Sequence, residues 1–333
     1  MLLGRLTKAT EPNKGARVAF RAVALAALLA AFGQITLGGV VRVSGSGLGC
    51  GDDWPLCNGQ IIPPFDLATT IEYSHRLSAN LLGVLTLATL VLAWRFYRPR
   101  PWVLTPSVAA MGLVIAAALF GAITVRTELS WGGRLVHLAI AELLITCLVV
   151  ANVAGWRPIG DEGASEQDGR SGGAGRLLWL ALAGVFALIL SGSYMVGQGA
   201  GSACATWPLC RGSLFPDGDA YAIHMGHRLL AAIVGLLVLW TAAMVWVRGS
   251  RWPGVGWVAA ALVGALAAQV IFGAATVWSG FASGFKAVHL SLATLTWLTA
   301  SVLMAVIYVP PRLTTRRVIA ERKALSNAGG TAR

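Results

Sequence analysis

The sequence predicts an all-α membrane protein with eight transmembrane helices, arranged as two pseudo-symmetric four-helix bundles with both termini in the cytoplasm. Three observations lead there: a 333-residue chain that is 56% hydrophobic and 12% charged, eight separate apolar runs, and a phrase built on Trp-Pro and two cysteines that occurs twice. Such a composition belongs to chains embedded in lipid. The runs are continuously apolar and do not alternate with period two, so they read as helices and not as barrel strands.

The first run, residues 18–41, follows Lys14 and Arg17. It is too long for the apolar core of a secretory leader, so it is expected to remain as the first helix. The second run, 72–94, opens on "EYSHR" and stops before Arg95, Arg98 and Arg100. The third and fourth span 102–125 and 132–154. The remaining four lie near 177–197, 222–247, 253–277 and 285–308. Most are long enough to cross a hydrocarbon core of about 30 Å at ~1.5 Å per residue.

A net charge of +12 would suit a nucleic-acid binder, but its distribution points elsewhere. With the N-terminus inside, nineteen of the 26 basic residues fall on the inner side: Arg5, Lys8, Lys14, Arg17, Arg21, Arg95, Arg98, Arg100, Arg157, Arg170, Arg176, Arg248, Arg251 and six from Arg312 to Arg333. Only Arg42, Arg126, Arg134, Arg211 and Lys286 fall in outer loops, with Arg76 and Arg228 at helix starts. This positive-inside pattern excludes nucleic acid as the partner and predicts a multi-pass protein of the cell membrane.

Sliding the chain on itself by about 152 residues aligns "SHRL" at 74–77 with "GHRL" at 226–229, "FGAITV" at 120–125 with "FGAATV" at 272–277, and "VHL" at 136–138 with "VHL" at 288–290. The chain therefore divides into an N-terminal half, 1–154, and a C-terminal half, 177–309. Four helices per half is an even number, so both halves enter the membrane in the same direction, and a pseudo-two-fold axis along the membrane normal is expected to relate them. The segment 155–176, rich in Gly and charge, reads as a cytoplasmic linker. The basic tail 310–333 reads as a surface segment on anionic lipid.

Four of the five histidines occupy matched places near the outer ends of even-numbered helices: His75 and His137 in the first half, His227 and His289 in the second. Counted from the apolar runs, His75 lies about one turn into its helix and His137 about a turn and a half, so the pair shares a depth. Two imidazoles facing across a four-helix bundle suit axial ligation of haem iron. A hydrogen-bonded packing role is the alternative for any one of them, and Zn or Cu for a pair. Duplication and the cost of ionisable groups in lipid favour function, and no further metal ligands cluster nearby. No Cys-x-x-Cys-His occurs, so covalent haem attachment is not indicated. Arg76 and Arg228 each follow a candidate ligand, where a guanidinium suits haem propionates or interfacial anchoring.

The halves differ at one place. Glu72 precedes His75 by three residues, whereas the second half has His224. A carboxylate on the same helix face as an iron-bound imidazole is suited to accept protons during oxidation; the alternative is an acid favoured by a helix N-terminus. His224 suits propionate contact, proton relay or an interfacial position, and the following His-Arg favours His227 as the ligand.

Taken together, "GGVVRVSGSGLGCGDDWPLCNGQIIP", "EYSHR", "GAITV", "GHR" and the paired "VHL" resemble the haem A synthases, membrane enzymes of cytochrome oxidase assembly. The resemblance spans all eight runs, excluding linker and tail. It implies oxidation of the C8 methyl of haem O to a formyl group, giving haem A. It further implies haem O as substrate in the N-terminal half at His75 and His137, with haem b as cofactor in the C-terminal half at His227 and His289. Glu72 falls on the family's catalytic carboxylate. Haem O synthase, oxidase assembly factors and an electron acceptor are the implied partners, and the haem sites are expected toward the extracytoplasmic side.

Cys50 and Cys57 lie in the first large outer loop and Cys204 and Cys210 in its duplicate. Facing a compartment where disulfides persist, they are expected as two intraloop bridges, each turning its loop into a cap. A redox role for the first pair is the alternative that the resemblance implies. Cys147, in the middle of the fourth run, reads as a packing thiol. The rival functional class is a di-haem electron-transfer cytochrome; Glu72 in one half alone and the absence of matching histidines near the inner face favour the enzyme. A transporter with internal repeats ranks below both, since broken helices and charges at the membrane midplane are both lacking.

Overall fold

A computed structural model describes residues 12–64, 66–157, 173–248 and 254–309. Most of the expected linker and all of the tail 310–333 lie outside the described residues. Helix α1, Lys14–Val43, starts where the Asn13 side chain accepts the Ala16 amide at 2.8 Å. Helix α2, Leu67–Phe96, starts where Asp66 accepts the Thr69 amide at 3.0 Å. Both caps satisfy amides that the first turn leaves orphaned. Helix α3, Pro101–Arg126, opens on a proline, whose missing N–H costs nothing there. Helix α4, Trp131–Trp156, is capped by Ser130. Helix α5, Gly173–Gly197, runs into a short 3-10 turn, Ala200–Ser202. Helices α6, Asp219–Arg248, α7, Val255–Trp278, and α8, Ser283–Tyr308, complete the set.

All eight are long and apolar enough to cross a membrane, and there is no strand among the described residues. The chain is thus an all-α, multi-pass membrane protein. Its outward residues agree: Val84, Leu236 and Trp257 are 65%, 69% and 81% exposed, a surface suited to hydrocarbon and not to water.

Two helices start earlier than hydropathy indicates. The first turn of α2 carries Thr69 and Thr70 and that of α6 carries Asp219, so both escape an apolar window although their backbones are helical. Glu72, Arg76 and Arg228 therefore lie in the second or third turn, and His75 more than two turns in.

Helices α1 to α4 each pack on the next, and α4 returns to α1; α5 to α8 close in the same way. The two rings meet through α1 and α4 on one side and α5 and α8 on the other. The contact between the helices is tight: Phe20 meets Tyr97 at 4.7 Å between ring centroids toward the inner helix ends, and Ile145, Leu148 and Leu303 are fully buried. Asn152, one of the few polar groups there, donates to the Ala24 carbonyl at 2.9 Å, tying α4 to α1.

Candidate functional site

Each of the four matched histidines stands against a glycine of the preceding helix. A Cβ built on Gly38 would lie 3.0 Å from Cε1 of His75, on Gly121 3.3 Å from His137, on Gly192 3.1 Å from His227, and on Gly273 3.0 Å from His289. These helices carry the imidazoles inside their rings, and the glycines leave space that any side chain would take. His75 and His137 are close enough to interact electrostatically, as are His227 and His289.

The ring nitrogens are held differently in the two halves. His227 places Nδ1 2.8 Å from the Ser191 hydroxyl, which itself donates to the Leu188 carbonyl and so accepts from the imidazole. His289 places Nδ1 3.1 Å from the Gln269 carbonyl. Both second-half rings therefore carry their proton on Nδ1 and leave Nε2 as the unprotonated nitrogen, the tautomer a metal requires, with Nε2 of His289 3.4 Å from the Gln269 side-chain amide. In the first half, Nδ1 of His137 leans toward the Ala117 carbonyl without closing a bond of normal geometry. The His75 ring is approached by the Gln34 amide, 3.1 Å from Nδ1, and that amide is itself held by Ser78.

The cysteine phrases fold alike. Cys50 bonds Cys57, and Cys204 bonds Cys210, with S–S distances of 1.96 and 2.01 Å; Cys147 is a free thiol in α4. Both loops carry a cis Trp-Pro bond, Trp54–Pro55 and Trp207–Pro208. Each ends in a tight turn whose two central residues have positive φ, Asn58 and Gly59 at 50° and 73°, Arg211 and Gly212 at 54° and 79°. Gly49 touches the start of α2 so closely that a Cβ would lie 2.4 Å from the Ala68 carbonyl.

Beneath each disulfide the helix reaches back to the loop. Glu72 is buried; its Oε2 accepts the Cys50 amide at 2.8 Å and its Oε1 pairs with Arg76 at 2.5 Å. Arg76 also donates to the carbonyls of Asp53 and Leu56 at 2.7 and 2.8 Å. In the second half, Arg228 donates to the carbonyls of Thr206 and Cys204 at 2.7 and 3.1 Å, and its Nη2 lies 3.2 Å from Nε2 of His224. With Nδ1 of His224 donating to the Ala200 carbonyl at 2.9 Å, its Nε2 accepts from Arg228 and is spent. His224 is thereby set apart from the four inward imidazoles. The sequence-named residues thus form two clusters per half: an imidazole pair within the ring, and an acid or imidazole with an arginine under the loop.

The family described as cytochrome oxidase assembly protein matches residues 21–301, and again 219–328. The chain belongs to this family. Among relatives of this family member, a heme A synthase of Symbiobacterium thermophilum is 32% identical over 267 residues, covering 76% of this chain and 85% of that protein. A heme A synthase of Alkalihalophilus pseudofirmus is 28% identical over 278 residues, covering 82% and 92%. One from Bacillus cereus is 28% identical over 316 residues, covering 89% and 94%.

Sequence reading overlooked Gln34, Ser191 and Gln269, the polar groups beside the imidazoles. Gln34 and Gln269 stand four residues, about one turn, before a glycine of the set and Ser191 one residue before, yet nothing local singles them out. The expectation of no charged residue at the midplane is corrected by Glu142, a buried acid in the middle of α4.

Proposed function

We propose that this chain is a haem A synthase, converting the C8 methyl of haem O into a formyl group for cytochrome c oxidase. The observation that carries this reading is the pair of glycine-backed imidazole couples in a chain whose relatives bear the name heme A synthase. We assign haem O to the N-terminal half between His75 and His137, and haem b to the C-terminal half between His227 and His289, the halves being related by a pseudo-two-fold axis. The residues fit such groups: glycines clear the space, and the donor set is imidazole nitrogen within a ring of apolar helices. The firmer anchoring of His227 and His289 through Nδ1 suits a cofactor that stays, and the looser hold on His137 suits a substrate that leaves.

Taking a methyl to an aldehyde with water releases electrons and protons together. Haem b, when bound, supplies a one-electron couple through which electrons pass on to an acceptor. Glu72 supplies the proton acceptor; its tie to the Cys50 amide and Arg76 fixes the carboxylate under the loop, where the second-half counterpart, His224, meets the Cys204 amide and Arg228 with an imidazole in place of an acid. The charge of Arg76 and Arg228 favours propionates on the loop side. The disulfide loops cap the sites on the extracytoplasmic side of the plasma membrane, where released protons reach water. Haem O synthase is the enzyme class that supplies the substrate, and oxidase assembly factors receive the product.

Coexpression with a haem O synthase and mass analysis of extracted haem tests the reading: haem A is expected. A folded, haem-loaded protein yielding haem O alone would overturn it and leave the di-haem electron-transfer cytochrome, which the Glu72–His224 difference and the relatives' names do not support.

A further inference from the structure

An acid in the middle of an apolar helix is costly and is seldom kept without a use. Glu142 is such an acid, fully buried in α4 where that helix meets α8. The Thr294 hydroxyl donates to its Oε1 at 2.7 Å, and the Trp297 indole donates to its backbone carbonyl at 2.6 Å. Oε2 is buried with no partner. No ion pair reaches it among the described residues.

Its place is specific. Glu142 follows His137 by five residues and Thr294 follows His289 by five, so the acid and its donor stand at equivalent positions of the repeat and meet each other. Five residues turn a helix by about 140° and advance it by about 7.5 Å. While the imidazoles face into their own rings, this carboxyl meets α8 at the seam, five residues beyond His137 and bonded to the residue five beyond His289. On the elements packed around it, the other titratable groups are His137 and Cys147 on α4 and His289 on α8. Lys14, Arg17, Arg21 and Arg42 of α1, Arg126 of α3, Arg134 of α4, Arg176 and Tyr194 of α5, and Lys286 and Tyr308 of α8 all lie toward helix ends. Among the described residues no cation pairs with this carboxyl at the seam, so an electron arriving beside it and a proton arriving on it compensate each other in a medium that screens poorly.

We propose that Glu142 is a proton-holding group shared by both imidazole pairs, taking one proton from solvent as one electron enters the C-terminal half and returning it when the electron leaves. The electron comes from the substrate under oxidation, and the carboxylate becomes a carboxyl with no other bond changed. This inference rests on the haem assignment above.

The test is a redox titration of the purified holoprotein, followed by haem absorbance at a series of pH values. In the wild type, at least one midpoint potential is expected to fall with rising pH toward ~59 mV per unit, the value for one proton per electron. In Glu142→Gln, whose amide keeps the Thr294 bond, that dependence is lost while the haem bands remain. A carboxyl band in the redox-difference infrared spectrum is expected in the wild type and absent from the variant. Should Glu142→Gln fail to assemble, Thr294→Val, which removes the donor and keeps the acid, is expected to move the pH at which the slope sets in. Unchanged pH dependence in the variants that assemble overturns the proposal, whereas a wild-type protein without haem bands would overturn the haem assignment itself.

Discussion

Gly192 and His227 meet across the α5–α6 contact so closely that a methyl on the glycine would stand 3.1 Å from the imidazole Cε1. The distance is tighter than ordinary packing allows, so an added methyl displaces the ring. Overpacking of this kind costs about 1–3 kcal/mol, roughly fivefold to 150-fold in retention of anything the ring holds. Gly192→Ala and Gly273→Ala are expected to lower haem b retention, and Gly38→Ala and Gly121→Ala that of haem O. The haem-to-protein ratio after purification, with each haem identified by mass, checks this. Loss of both haems equally in all four variants would argue against separate sites.

Glu72 has both oxygens engaged, one by a loop amide and one by Arg76, so its removal disturbs structure as well as chemistry. Glu72→Gln separates the two, because the amide oxygen still accepts from Cys50 while the negative charge and proton-accepting capacity are gone. The expected outcome is normal haem content with haem O in place of haem A in the extract. Normal haem A yield would remove Glu72 from the mechanism.

What was legible in the sequence was what recurs. Eight runs, the doubled cysteine phrase and the four histidines all have a second copy or a periodic pattern behind them, and the helices and both disulfides are found where these placed them. What stayed hidden lacked a partner in the chain. The first turn of α2 is polar, so hydropathy began the helix at Glu72, although Asp66, three residues before Thr69, was a readable cap. Gln34 and Glu142 hold their places through contacts between helices distant in sequence, Gln34 with His75 and Glu142 with Thr294, and no local pattern encodes such a meeting.

The Asp66 cap carries a pH dependence of known sign. Hydrogen bonds from the Thr69 hydroxyl and then the Thr69 amide hold the Asp66 carboxyl below its usual range. A lowered value means the contribution is complete above the ordinary carboxylate range and is lost as pH falls through the lowered value. Acid is therefore expected to fray the start of α2, and with it the approach of Gly49 to Ala68. Hydrogen exchange of the first-turn amides of α2, referred to those of α3, reads this directly. Asp66→Asn, which caps without titrating, is expected to abolish the acid response; an unchanged response would place its origin elsewhere.

The two disulfides offer a comparison in which each controls for the other. They close loops of similar length, with sequence separations of 7 and 6, so in the chain-entropy account each stabilises by about 2 kcal/mol. The loops share the cis Trp-Pro bond, the terminal tight turn and the arginine donating to loop carbonyls. Cys57→Ser and Cys210→Ser are accordingly expected to lower thermal stability to a similar extent. Thiol labelling of the wild type without reductant is expected to reach Cys147 at most, and all five cysteines after reduction and unfolding. Where the loops differ is the residue beneath them, Glu72 under one and His224 under the other, so an effect on product formation beyond the shared loss of stability isolates chemistry at the first pair. If Cys57→Ser and Cys210→Ser reduce haem A formation equally at equal protein level, both bridges are staples. If Cys57→Ser alone abolishes it with haem still bound, the Cys50–Cys57 pair takes part in turnover.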